Sequence, residues 1–309
     1  MGAMRAALSP PAARATLAAV AALALAGCAA RRPGPAVEVL SFLEVAASGA
    51  RFRVVYGPRD VEAARQVARV LARAAPRAQR FAALSAPVTL TLHPTHDALE
   101  RAVDKRGYRW LRAWARARTV DLQSPRSWSV GWSWLPWARR SKVEQLEELL
   151  VHELVHCAMF QAAGGEGAWV LLDVPRWFAE GMASVAADQG YRRATLAELR
   201  RHWREQDGLD EGLGDGWFGR GGRAEREPGD PLLDPDPIYR EQADLVYGAA
   251  HHAFAAFAER HGDLAVRRII ARVGAGATFG QAFAEVVGQR PEAYAEAFRA
   301  EVVAGGGEP

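Results

Sequence analysis

Cysteine is almost absent, with 2 in 309 residues, and this removes two ways of building a protein. Cys28 and Cys157 cannot make a disulfide scaffold, and without a Cys-x-x-Cys pair a cysteine-rich structural zinc site is excluded. An excess of one charge is also lacking. Lys+Arg total 39 against 36 Asp+Glu, and Arg5 and Arg14 precede the cleavage site expected below, so the remaining chain is close to neutral. No basic face for nucleic acid is expected. The one sustained apolar run, Thr16 to Ala26, is short for a bilayer span. No internal repeat is seen, which excludes a solenoid. Half the residues are hydrophobic, 50%, enough to bury a sizeable core.

Histidine is scarce as well, only 8 residues, and two of them stand in His152-Glu153-Leu154-Val155-His156. Four residues apart on a helix, two imidazoles project from one face and can hold one divalent metal with Glu153 beside it. The flanks predict that helix. Val143, Leu146, Leu150 and Leu154 form an inward-facing stripe, and no Gly or Pro interrupts before Gly164-Gly165. Downstream, Asp173-Val-Pro-Arg-Trp-Phe-Ala-Glu-Gly predicts a second helix, with Asp173 as its cap, Pro175 in the first turn and Glu180 one turn beyond Trp177. Glu180 is then the third ligand. Two His and one carboxylate leave an open position, as a catalytic zinc requires.

The pentad followed by Trp-x-x-Glu-Gly resembles the gluzincin metallopeptidases, in particular the bacterial peptidase MA-like group. Two further stretches are similar to it: an α/β segment ending in a strand before the metal helix, and a Tyr-containing helix ending Glu259-Arg-His-Gly. The resemblance runs from about Val37 onward, though only the two ligand motifs are highly specific. It implies one Zn2+ per chain on His152, His156 and Glu180, with Glu153 as general base. Cys157 follows His156 but points about 100° away on a helix, so it is read as a buried apolar residue outside the site.

Residues 1–27 have a basic start, an apolar centre and the ending Leu25-Ala26-Gly27-Cys28, and are read as a secretory signal peptide. That tetrad resembles the bacterial lipobox, which implies cleavage before Cys28 and a lipid on it. Ala29 after the cysteine favours, by resemblance to Gram-negative lipoproteins, the outer membrane facing the periplasm. Residues 28–36 would be a tether.

The rest of the chain predicts an α+β, zincin-like fold. Residues 37–142 form an N-terminal α/β lobe with a small mixed sheet, and residues 143–305 a mainly helical lobe, with the metal at their junction. Strands are expected at Arg51 to Tyr56, Val88 to His93 and Thr119 to Gln123, and helices at Val61 to Ala75, Asp97 to Lys105 and Tyr239 to Arg260. Trp128, Trp132, Trp134 and Trp137 are either apolar substrate subsites or a cover for core or lipid. Asp207 to Pro237 is either a lid loop or a disordered segment. Tyr247, His251 and Phe254 share a helix face. Tyr247 or His251 could donate to a developing oxyanion, or both could simply pack. Trp177 and Asp173 are candidates to support the ligands.

The expected function is a membrane-anchored zinc metallopeptidase acting on peptide or protein, with Glu153 and Tyr247 as catalytic residues. Two alternatives stand beside it: a non-catalytic zincin-fold lipoprotein serving as a binding or assembly module, and a zinc amidase acting on a cell-wall substrate.

Overall fold

The structure, a computed structural model, describes residues 40–128, 140–167, 172–208 and 229–305. The signal segment, Cys28 and its tether lie outside the described residues. So do Trp132, Trp134 and Trp137, and the middle of the stretch from Asp207 to Pro237.

A five-stranded mixed sheet comes first. Its strands are β1 (Ser41–Ala47), β2 (Ala50–Tyr56), β3 (Val88–His93), β4 (Ala113–Ala115) and β5 (Thr119–Gln123), in the order β1-β2-β3-β5-β4. β2, β3 and β5 are parallel, and the two outer strands run antiparallel to them. Alternation in Ala50–Tyr56 and Val88–His93 turns Phe52, Val54, Val88 and Leu90 inward, and all four are buried. The parallel pairing of β2 with β3 demands a crossover, which helix α1 (Val61–Ala78) supplies. Its buried stripe of Ala64, Val67, Leu71, Ala74 and Ala78 packs on the sheet.

Two strands, β1 and β4, are additions to the three read from sequence. Ser41–Ala47 buries little, and Ala113–Ala115 is only three residues long and joined to β5 without a Gly or Pro turn. Neither carries the usual signal. The short helix α2 (His96–Val103) starts one residue earlier than expected because Thr95 caps it, accepting from the Ala98 N–H.

Helices then dominate: α3 (Lys142–Ala162), α4 (Arg176–Ala186), α5 (Leu196–Gln206), α6 (Asp236–Tyr239), α7 (Ala243–Gly274), α8 (Phe279–Val287) and α9 (Pro291–Val303). Ser141 and Glu144 close a capping box at the start of α3. Leu146, Leu150 and Leu154 are fully buried as the stripe requires, but Val143 is exposed, since the first turn of α3 projects beyond its neighbours. Two helix starts also differ from expectation. Asp173 is not the cap of α4. Pro175 disfavours helical geometry at Val174, so the helix begins at Arg176 with Pro175 at the cap position and Asp173 left-handed at φ 53°. The segment read as one helix from Tyr239 is two, with the one-turn α6 ending at Tyr239 and α7 beginning at Ala243 after Gln242 leaves helical geometry. Within α7 the helix breaks at Gly262, where φ is 77°, the residue that closes Glu259-Arg-His-Gly.

One apolar core runs from Phe52 and Val67 through Leu150 and Leu154 to Phe178, Phe254 and Phe283. α3 lies in the middle of it, between α1, the sheet edge, α4 and α7. Its polar residues Glu148, His152 and Glu153 are therefore buried, each needing a partner. No described helix is long and apolar enough to cross a membrane.

Candidate active site

α3 and α4 bring three ligating atoms to one point. His152 Nε2, His156 Nε2 and Glu180 Oε2 form a triangle with sides of 3.2, 3.3 and 3.4 Å. Zinc with bonds of about 2.0–2.1 Å sets neighbouring corners of its tetrahedron about 3.3–3.4 Å apart, so the spacing fits that ion. The surroundings agree. Glu180 Oε2 is buried without a hydrogen-bond donor, and so is His152 Nδ1 without a partner. This is the one group of three or more potential ligands of this kind among the described residues.

The helix geometry explains the convergence. The i, i+4 spacing sets the imidazole centroids 4.9 Å apart, and α4 crosses α7 closely enough to press Glu180 toward them. Gly181 makes that crossing possible. A Cβ there would meet the Ala250 carbonyl oxygen and stand 2.5 Å from Phe254 Cβ. Gly181→Ala is therefore expected to destabilise the fold by about 1–3 kcal/mol, read in a denaturant melt. A midpoint equal to wild type would show that the two helices separate freely.

Electrostatics act on the two imidazoles in opposite directions: burial would lower His156, but the charges of Glu180 and Glu153 outweigh it and raise that ring. Burial pushes His152 down to about 4, which keeps its imidazole neutral. Burial alone would raise Glu180, but the two imidazoles facing it outweigh that and hold it well below the usual carboxylate range. Glu153, buried on α3 between the ligands in sequence, is pushed up to about 7 by burial, with the charge of Glu180 adding to the effect. A carboxyl poised there exchanges a proton near neutral pH.

The triangle opens on a cleft of about 830 Å³. One wall is the segment from Trp110 to Ala115, which ends in β4, a strand that pairs only with β5 among the described strands. The opposite wall is built by Leu232 to Asp236, α6 and the start of α7. Tyr247 lines the cleft. Its ring lies 6.1 Å from His152, and its hydroxyl shares a 2.8 Å hydrogen bond with Tyr239. Burial pushes its phenol well above the ordinary value, so it stays a proton donor. His251 sits one turn further on, outside the cleft lining, with Nδ1 3.0 Å from Ser184 Oγ.

Other residues of interest fall elsewhere. Trp177 packs behind α4 among Phe257, Phe283 and Tyr294, and exposed Asp173 stands at the cleft mouth. Trp128 is buried and donates its indole N–H to the Gln123 carbonyl at 3.1 Å, so it covers core rather than cleft. Cys157 is a free, buried thiol directed away from the triangle toward Thr119. The cleft contains Trp110, Arg112, Arg193 and Tyr239, none of which sequence reasoning had singled out. The alternation of Leu111, Ala113 and Ala115 was the available signal for their strand.

No protein-family model matches the chain, and no curated protein matches it. Among solved structures it is similar to an M1 zinc metallopeptidase from Deinococcus radiodurans. A point mutant of that enzyme shares 15% identity at a TM-score of 0.42, over 88% of this chain and 53% of that chain. The unmutated enzyme gives 15% and 0.39 over 88% and 53%, and a mutant bound to a Tyr-Ser-Ala substrate gives 16% and 0.38 over 88% and 52%. This chain thus spans about half the length of those it matches, and a likeness so distant assigns neither family nor activity.

Proposed function

We propose that the protein is a zinc-dependent metallopeptidase that hydrolyses peptide bonds at the His152, His156 and Glu180 centre. The observation that carries the reading is the buried triangle of ligand atoms, spaced as zinc spaces them, with a fourth side open to a cleft and Glu153 adjacent. The sequence resemblance to gluzincins points the same way.

Zinc at these three atoms would supply a Lewis acid that brings water's pKa toward about 7 and polarises the scissile carbonyl. Glu153 then takes the proton of the attacking water on its carboxylate and returns it to the departing amine. The Tyr247 hydroxyl, oriented by Tyr239, donates to the oxygen that becomes negative. The open edge of β4 offers backbone N–H and C=O groups to an extended peptide, which would align it past Glu153. Trp110, Trp114 and Phe160 give that peptide apolar contacts.

A peptide-library cleavage assay with and without chelator tests the proposal. Cleavage abolished by chelator and restored by zinc is the expected result. Cleavage that ignores chelator, or no cleavage at all, would set the peptidase reading aside.

We further propose that the chain is lipidated at Cys28 and held at the outer membrane, facing the periplasm. Cys28→Ala should move the protein from the membrane to the soluble fraction, because that lipid is the evident anchor. Fractionation identical to wild type would point to another means of attachment.

A further inference from the structure

Positive charge in the cleft lining goes unneutralised at two residues. Arg112 immediately precedes β4, Arg193 follows the single turn Gly190–Arg192, and both line the cavity. Arg176, the third arginine of the lining, is paired with Asp236 at 2.8 Å. Arg112 and Arg193 form no ion pair with any described residue. Arg112 meets the Gln145 side-chain oxygen at 3.2 Å and the face of Trp128 at 4.9 Å. Arg193 meets the Gln189 side-chain oxygen and the face of Tyr247 at 4.3 Å, while its buried Nε has no hydrogen-bond partner.

Amide oxygens and ring faces hold a guanidinium in place without cancelling its charge, and a partly buried charge left in that state is costly. Burial lowers the pKa of both groups, and Arg192 repels each of them. Arg192 itself is committed to Glu148 at 3.2 Å. Asp244 and Glu180 attract Arg193, but neither is within ion-pair distance.

The arrangement is also held firmly. Glu148, buried on α3 one turn before His152, accepts from the Tyr191 hydroxyl at 2.8 Å and pairs with Arg140 at 3.0 Å. Gln189, buried beside it, reaches the Glu148 carbonyl with one end of its amide and Arg193 with the other. The segment that carries Arg193 is thus tied to the helix that carries the ligand histidines. Fixed guanidinium forks of this kind match a carboxylate geometrically as well as electrically. Arg193 stacks on Tyr247, whose ring lies 6.1 Å from His152, which puts this arginine on the His152 side of the triangle.

We propose that the unpaired guanidiniums of the cleft lining, Arg193 beside the ligand triangle and Arg112 before β4, receive carboxylates and make the enzyme prefer peptides carrying a carboxylate beside the bond to be cut, either the chain's own terminus or an acidic side chain. The proposal takes from the peptidase reading only that the ligand is a peptide.

Binding to the full-length protein tests it. Glu153→Gln serves as the parent, to prevent turnover, and fluorescence anisotropy is measured with three labelled peptides of otherwise identical sequence. One ends in a free carboxylate, one in an amide, and one in an amide with an internal Gln changed to Glu. The expected result is that one or both carboxylate peptides bind about tenfold or more tightly than the plain amide. Which of the two does so identifies the source of the carboxylate. Added Arg193→Gln or Arg112→Gln should bring the ratio toward one, with the variants' melting temperatures checked alongside. Equal binding of all three peptides, no binding of any, or a ratio that survives both substitutions overturns the proposal. So does a uniform loss of affinity at constant ratio, which would make the arginines props for Tyr247 and Trp128. Failure of the peptidase reading registers separately, as absent chelator-sensitive cleavage by the wild type, because the binding ratio is measured without turnover.

Discussion

If the proposed peptidase mechanism holds, replacing Glu153 by Gln is expected to slow hydrolysis by about a hundredfold or more while leaving zinc content and folding intact. The carboxylate is buried beside the ligand triangle but is not one of its corners, and no described basic side chain neutralises it by an ion pair. On the proposed mechanism its role is proton transfer. An amide of the same size keeps the shape of α3 and removes the base, and general bases contribute about 10²–10⁴-fold. The loss should fall on kcat and on kcat/KM alike, since the interaction is made in the transition state. A further consequence favours the substitution over Ala: burial raises the Glu153 pKa to about 7, so the neutral amide mimics its protonated form and should not destabilise the fold. Chelator-sensitive turnover at the wild-type rate in this variant would remove Glu153 from the mechanism.

The three residues of the triangle were legible in sequence because their spacing is local. His152 and His156 need only one helical turn, and the neighbouring leucines announce the helix that supplies it. Glu180 was legible through Trp177 and Gly181, one buried behind α4 and the other at the helix crossing. Their side chains approach in space for a reason also written locally, since only a residue without Cβ admits Ala250 and Phe254 so near to α4.

What was not legible depends on long-range pairing. Between Tyr108 and Arg118 only the alternation of Leu111, Ala113 and Ala115, weakly apolar at its two alanines, hints at a strand. Ala113–Ala115 becomes one because Val120 and Leu122 of β5 offer it a register and α3 covers its inner face. Of the tryptophan-rich stretch only Trp128 lies among the described residues, and it turns into the core, the second of the two roles its composition allowed. Arg193 is a similar case. Its chain neighbours Tyr191 and Arg192 turn to Glu148, and only the fold reveals that Arg193 alone faces the cavity. Asp173 misled through its type. A good capping residue two positions before a proline cannot cap, because the residue between them is kept from helical geometry.

Loss of either His156 or Glu180 is expected to abolish stoichiometric zinc binding. A site of three protein ligands has no spare corner, and since removing even a residue that supports a ligand costs about 10–100-fold in affinity, removing a ligand should cost more than about a hundredfold. Metal analysis of purified His156→Ala and Glu180→Ala should therefore fall from about one zinc per chain toward none. Thermal melts give an independent reading. Zinc at about a thousandfold excess over its Kd stabilises a folded site by about 4 kcal/mol, on the order of 10 °C in a domain of this size, and the variants should lose that increment. In Glu180→Ala the two imidazoles lose their only described carboxylate partner, so the variant remains informative even without metal: its melt should be indifferent to chelator. His96→Ala serves as the control, because His96 pairs with Glu100 at 3.3 Å on α2 and takes no part in the triangle. Full zinc occupancy in folded His156→Ala or Glu180→Ala, or a chelator-dependent melt that both retain, would mean that the metal sits elsewhere.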